Sequence, residues 1–89
     1  MNRAVVYTLA AERDLLAIYR FIARDKPDAA LAYVTDIREK LESLAEFPMM
    51  GRAVGKARLW PVQPNALAKY RVLQREVEII RIVYAGQGL

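Results

Sequence analysis

Arg81 stands in the middle of Val77-Glu78-Ile79-Ile80-Arg81-Ile82-Val83-Tyr84, a run that otherwise reads as a buried strand. An unpaired guanidinium in such a place is costly. Lys56, Arg58, Lys69, Arg71 and Tyr84 lie in the same half of the chain. These cations and one phenol are the groups through which this half could do chemistry or hold an anion. The sequence has no His and no Cys, and its carboxylates are scattered over predicted helix faces without a ligand spacing, so neither a metal nor a cofactor is expected. A basic sheet without the usual catalytic side chains points to binding ahead of reaction.

The charge is segregated. Residues 1–50 hold seven Lys/Arg and eight Asp/Glu, whereas residues 51–89 hold seven Lys/Arg and two Asp/Glu, so a net −1 half precedes a net +5 half. Such a field suits nucleic acid or an acidic protein segment, and the sum alone does not choose between them. Apolar residues make up 55% of a chain of 89, a generous share for one small domain that buries only about two-thirds of its unfolded surface. Some apolar area is therefore expected to stay exposed as a partner site. The apolar run at the N-terminus is too short for a signal peptide, and no stretch approaches the roughly 20 apolar residues of a membrane span. A cytoplasmic protein with no membrane partner is the expectation.

The elements that must position these groups follow from the hydrophobic period. Ala4 to Leu9 reads as a strand. From Ala11 to Arg24, Leu15, Ile18, Tyr19 and Ile22 recur at helical spacing, which predicts an amphipathic helix. Pro27 breaks that helix and fits the first turn of a second, with Asp28 at its positive end. The second stripe is Ala30, Tyr33, Val34, Ile37, Leu41 and Leu44, ending near Phe47-Pro48. So short a connection makes the pair an antiparallel hairpin. Residues 48–55 read as a loop, and Ala57 to Val62 as a short edge strand ending at Pro61. Leu67 to Leu73 and Glu76 to Tyr84 are better strands, joined by Gln74-Arg75 in a tight turn. The expected architecture is a single α+β domain over residues 1–89, two-layered, with the helical hairpin packed on a mostly antiparallel four-stranded sheet in the order β-α-α-β-β-β. Strict alternation puts Tyr70, Val72, Val77, Ile79, Arg81 and Val83 on one face and Lys69, Arg71, Ile80, Ile82 and Tyr84 on the other.

Taken together these strings resemble the RelE/ParE superfamily of toxin–antitoxin toxins, and its ParE branch more closely. The resemblance rests on Asp14-Leu15-Leu16-Ala17-Ile18-Tyr19-Arg20-Phe21-Ile22, on Pro27 with Ala30, and on Leu44-Ala45-Glu46-Phe47-Pro48-Met49-Met50-Gly51-Arg52. It continues through Tyr70-Arg71-Val72, Val77 to Val83 and Gln87, nearly the whole length. It implies a type II toxin neutralised by a cognate ParD-like antitoxin with an acidic, amphipathic C-terminal segment. ParE-like members act on DNA gyrase without catalysis, whereas RelE-like members cleave messenger RNA on the ribosome.

Cleavage through a 2′-hydroxyl needs a proton acceptor, a donor to the leaving oxygen and cations for the phosphate. Lys, Arg and Tyr supply these roles in RelE-like enzymes, so Arg58, Lys69, Arg71 and Tyr84 are the candidate contacts to a target or, alternatively, a nuclease site. Ribonuclease-type relatives commonly close with Gly, His or Lys, then Arg, then a later Tyr. Here the Arg position is Ala85, and the later Tyr has no counterpart after Gly86-Gln87-Gly88-Leu89. The reading that follows is a non-catalytic ParE-like gyrase inhibitor, with a RelE-like nuclease as the alternative. A degenerate non-toxic member or a basic nucleic-acid-binding module comes third. Arg81 is expected on the helix-covered face as a structural cation paired with a helix carboxylate.

Overall fold

A computed structural model describes residues 3–85. The elements are β1 (Ala4–Tyr7), α1 (Leu9–Ala23), α2 (Pro27–Glu42), a 3-10 turn (Ser43–Ala45), β2 (Arg52–Val54), β3 (Ala57–Gln63), β4 (Ala66–Val72) and β5 (Glu76–Tyr84). Gly86 to Leu89, which carry the C-terminal comparison above, lie outside the described residues.

Thr8 joins strand to helix. Its extended backbone leaves the hydroxyl free to accept the Ala11 N–H at 3.0 Å, capping α1, and to donate to the Ile80 carbonyl of β5 at 2.8 Å. One side chain thereby satisfies groups on two elements, at a cap position worth about 1 kcal/mol. Pro27 occupies the first turn of α2, where its missing N–H costs nothing. The hairpin buries Ala11, Leu15 and Ile18 from α1 with Ala30, Ile37 and Leu41 from α2, and Leu44 from the 3-10 turn. The predicted helical stripes thus face the sheet, with Ile22, Tyr33 and Val34 half-buried at their borders.

The sheet departs from expectation in three ways. It has five strands, in the order β1-β5-β4-β3-β2, and is mixed because β1 runs parallel to β5. The extra strand is β2, three residues in the stretch read as loop, which pairs antiparallel with β3 through Arg52–Leu59 and Val54–Ala57. It carries no alternation because all three of its residues are exposed, so nothing in its pattern marks it as a strand.

The third departure sits at Arg81. The β4–β5 hairpin has the expected register near its turn, Val72 opposite Val77 and Arg71 opposite Glu78. After Tyr70–Ile79, however, Lys69 pairs with Arg81, and Ile80 is the additional residue of a β-bulge. The bulge inverts the alternation. Val77 and Ile79 face the helices before it, Ile82 and Tyr84 after it, and Arg81 and Val83 turn outward. Arg81 is therefore not on the covered face, and Tyr84 is not on the open one.

Candidate functional site

The sheet face away from the helices carries an open concavity of about 550 Å³. Val54, Ala57, Leu59 and Ile80 supply its apolar floor, and Lys56, Lys69, Arg71 and Glu78 its charged rim. Strand alternation explains the membership: Leu59 opposes Lys69 across β3–β4, and Lys69 and Arg71 are i and i+2 on β4. Arg71 donates to Glu78 at 3.1 Å across the β4–β5 pair, which holds the guanidinium flat on the sheet. Both partners are partly exposed, so this pair contributes only about 0–1 kcal/mol. Lys69 and Arg71 thus share one surface, an apolar floor with cations around it.

Arg58 lies on the other side of the sheet. Opposite Tyr70 in the β3–β4 register, it faces the helices and donates to the Gly51 carbonyl at 2.6 Å. The same glycine is held from its other end. The fully buried Tyr70 hydroxyl accepts the Gly51 N–H at 2.7 Å and donates to the Pro48 carbonyl at 2.8 Å. A Cβ at Gly51 would come within 2.8 Å of the Leu59 carbonyl oxygen and 2.9 Å of the Tyr70 hydroxyl, so only glycine fits. Arg58 and Tyr70 together fix the segment Pro48–Gly51 that leads into β2. Sequence reasoning placed Tyr70 on the strand face shared with Val72, Val77 and Ile79 and missed this work. The Pro48 and Gly51 signals marked a turn without indicating which side chain would hold it.

Tyr84 packs edge-on between Phe21 (ring centroids 6.0 Å apart) and Tyr33 (5.6 Å), on the helix side of β5. Burial pushes the Tyr33 hydroxyl above the usual phenol range, with Tyr84 adding to the shift. Trp60 is half-buried against the same core. The four candidates therefore do not converge: Lys69 and Arg71 share the open face, Arg58 braces a loop, and Tyr84 belongs to the layer interface.

Arg81 does meet a helix carboxylate. Its Nε and Nη2 donate to the two oxygens of Asp14 at 2.8 and 3.0 Å, a bidentate pair, and the Ile82 N–H donates to the same carboxylate at 2.8 Å. The Arg81 side chain is 54% exposed, whereas that of Asp14 is only 15% exposed. Asp14 is the more buried partner, closing the edge of β5 beyond the end of β1. Burial alone would raise its pKa. Hydrogen bonds from Arg81 and from the Ile82 N–H, with the charge of Arg81, outweigh that and hold the carboxyl below its ordinary range. The partner raises Arg81 in turn. Among the described residues no cluster of His, Cys, Asp or Glu has metal-site geometry, and no helix is long and apolar enough to cross a bilayer.

Residues 5–88 match the ParE toxin family of type II toxin–antitoxin systems, parDE. The putative toxin Y4kP of Sinorhizobium fredii is 34% identical over 97% of this chain and 92% of its own length. Toxin RelE2 of Caulobacter vibrioides is 36% identical over 93% of this chain and 96% of its own length. In structure, a chain of the chromosomal ParDE toxin–antitoxin system from P. aeruginosa superposes with a TM-score of 0.82 at 30% identity, covering 92% of this chain and 95% of that one. With the family match running over residues 5–88 and two toxins more than 30% identical across nearly the whole chain, the chain belongs to the ParE toxin family and is a type II toxin of the RelE/ParE superfamily.

Proposed function

We propose that the toxin is a ParE-like, non-catalytic inhibitor of DNA gyrase, acting in the cytoplasm and neutralised by a cognate ParD-like antitoxin. The observation that carries this reading is the dispersal of Arg58, Lys69, Arg71 and Tyr84. A 2′-hydroxyl cleavage needs its acid, base and phosphate cations around one phosphorus. Here Arg58 is committed to the Gly51 carbonyl and Tyr84 to Phe21 and Tyr33, on the side of the sheet opposite Lys69 and Arg71. Two cations over an apolar floor suit a contact surface better than a reaction centre. The antitoxin reading is supported by the toxin–antitoxin system to which the P. aeruginosa relative belongs, and by the excess of basic over acidic residues facing an acidic segment. Lys69 and Arg71 are the residues assigned to target contact.

Two observations favour the ribosome-dependent nuclease as a second reading: Lys56, Lys69 and Arg71 ring one concavity, and the Caulobacter relative carries the RelE name. Expression without antitoxin separates the two. A gyrase inhibitor induces the DNA-damage response while translated messages stay intact. Message cutting that is lost in Arg71→Ala, with no DNA damage, would replace it by the nuclease.

A further inference from the structure

The positive half of the sequence is the C-terminal one, yet three exposed guanidiniums without a carboxylate lie on the N-terminal helix and its C-cap. At about 100° per residue, Arg13, Arg20 and Arg24 fall within about 40° of one another on α1 and its C-cap, on the side opposite Ala11, Leu15 and Ile18. All three are exposed. Exposed Leu9 and Leu16 border this ridge on one flank, and Ala17 and Phe21 on the other. The two acidic residues of the helix are engaged elsewhere: Glu12 with Arg38 at 2.6 Å, and Asp14 with Arg81 and the Ile82 N–H. Among the described residues none of the three arginines forms an ion pair. The helix dipole favours cations in the last turn, which accounts for Arg20 and Arg24 but not for Arg13.

Between Arg20 and Arg24 a hollow of about 220 Å³ is lined by Ala17 and Phe21, with the Arg24 guanidinium 5.9 Å from the Phe21 ring centroid. An anion in that hollow meets two guanidiniums over an aromatic floor. Along the axis Arg13 and Arg20 are about 10 Å apart and Arg20 and Arg24 about 6 Å. The Arg13–Arg20 interval is about three base-pair rises of ~3.4 Å, and the shorter one lets Arg20 and Arg24 reach a single phosphate between them.

We propose that this ridge binds the phosphate backbone of duplex DNA, with Arg20 and Arg24 clasping one phosphate and Arg13 another on the same strand. Guanidinium is suited to this because its fork pairs two phosphate oxygens and its charge persists at every relevant pH. The contact reads no bases. It stands apart from the gyrase reading, since a toxin of either activity could carry it.

The test is fluorescence anisotropy of a labelled duplex of about 20 base pairs, titrated with the full chain between about 50 and 200 mM NaCl. Two neutralised phosphates give a slope of log K against log salt of about −1.8. In Arg13→Gln/Arg20→Gln/Arg24→Gln the slope falls to near zero and low-salt affinity drops about tenfold or more. The variant Lys26→Gln/Lys40→Gln/Arg75→Gln loses the same charge elsewhere and stays within about threefold of the parent. Circular dichroism checks that all three proteins are folded. Equal losses in both triple variants would reduce the effect to net charge and overturn the proposal, as would no duplex binding by the parent. Retained DNA binding in the arginine variant, with loss of an acidic peptide ligand, would make the ridge a protein-binding face instead. A gyrase cleavage assay on the parent reports on the other reading whichever way the anisotropy falls.

Discussion

Removing one oxygen atom, in Tyr70→Phe, tests how the site's scaffold is held. The phenol oxygen serves two backbone groups, the Gly51 N–H at 2.7 Å and the Pro48 carbonyl at 2.8 Å. Gly51 is buried, and the space beside it is already so tight that an added Cβ would contact the Leu59 carbonyl at 2.8 Å. The void left by the hydroxyl is too small for a water to replace it. The orphaned N–H therefore costs about 1–3 kcal/mol, while the half-buried carbonyl adds less because it keeps access to solvent. A loss of about 2–3 kcal/mol is expected, against the roughly 0.5 kcal/mol limit of most surface changes. With an unfolding entropy of about 2.1 cal/mol/K per residue, that lowers Tm by about 10–16 °C for a chain this size. Urea unfolding followed by the single tryptophan, Trp60 on β3, measures it, with an unchanged m-value showing that only stability moved. In an Arg58→Ala background the same substitution should cost less, since both side chains brace Gly51. A Tyr70→Phe stability within about 0.5 kcal/mol of the parent would refute the reasoning.

Gly51→Ala should destabilise as strongly as Tyr70→Phe, because its Cβ meets the Leu59 backbone and the buried Tyr70 hydroxyl, neither free to move aside; a melting temperature equal to the parent's in differential scanning calorimetry would contradict this. Asp14→Asn removes a carboxylate whose pKa is depressed in the folded state, so its contribution is present above the unfolded value of about 3.9 and lost as pH falls through the lower folded value. The stability gap between parent and Asp14→Asn should therefore be wide at neutral pH and close below about pH 4, and a gap constant across that range would show that the Asp14 pKa is the same folded and unfolded. Arg71→Ala breaks only an exposed pair with Glu78, so it should change stability by less than about 1 kcal/mol while weakening inhibition of the target. A large drop in Tm with activity retained would place Arg71 in the scaffold.

Much of the layering was legible because its signals are local. The stripes of Leu15, Ile18, Ile37 and Leu41 carry a helical period, Pro27 punctuates them, and these residues are the ones buried. The parallel placement of β1 beside β5 is a choice among long-range pairings that no local pattern states. β2 escaped because three exposed residues have no face to alternate. The bulge at Ile80 did leave a trace: Val77 and Ile79 keep one phase, Ile82 and Tyr84 the other, and strict alternation would have buried Arg81. The cost of burying that guanidinium was itself the argument for a phase change. Once the phase shifts, Tyr84 leaves the open face and Arg81 reaches Asp14 over the sheet edge. Of the candidate contacts, Lys69 and Arg71 were legible because they lie on β4, the strand without the extra residue, whose alternation is unbroken. Arg58 was not, because its face depends on the pairing of β3 with β4.

The proposed action, stopping gyrase rather than cutting RNA, is open to direct measurement. Its most direct test is a gyrase cleavage assay on supercoiled plasmid with purified toxin, run beside a translation reaction. Gyrase inhibition predicts linearised DNA that accumulates with toxin and disappears when antitoxin is added, with messages left intact. Supercoiling that proceeds normally at saturating toxin while messages are cut at the ribosome would contradict it.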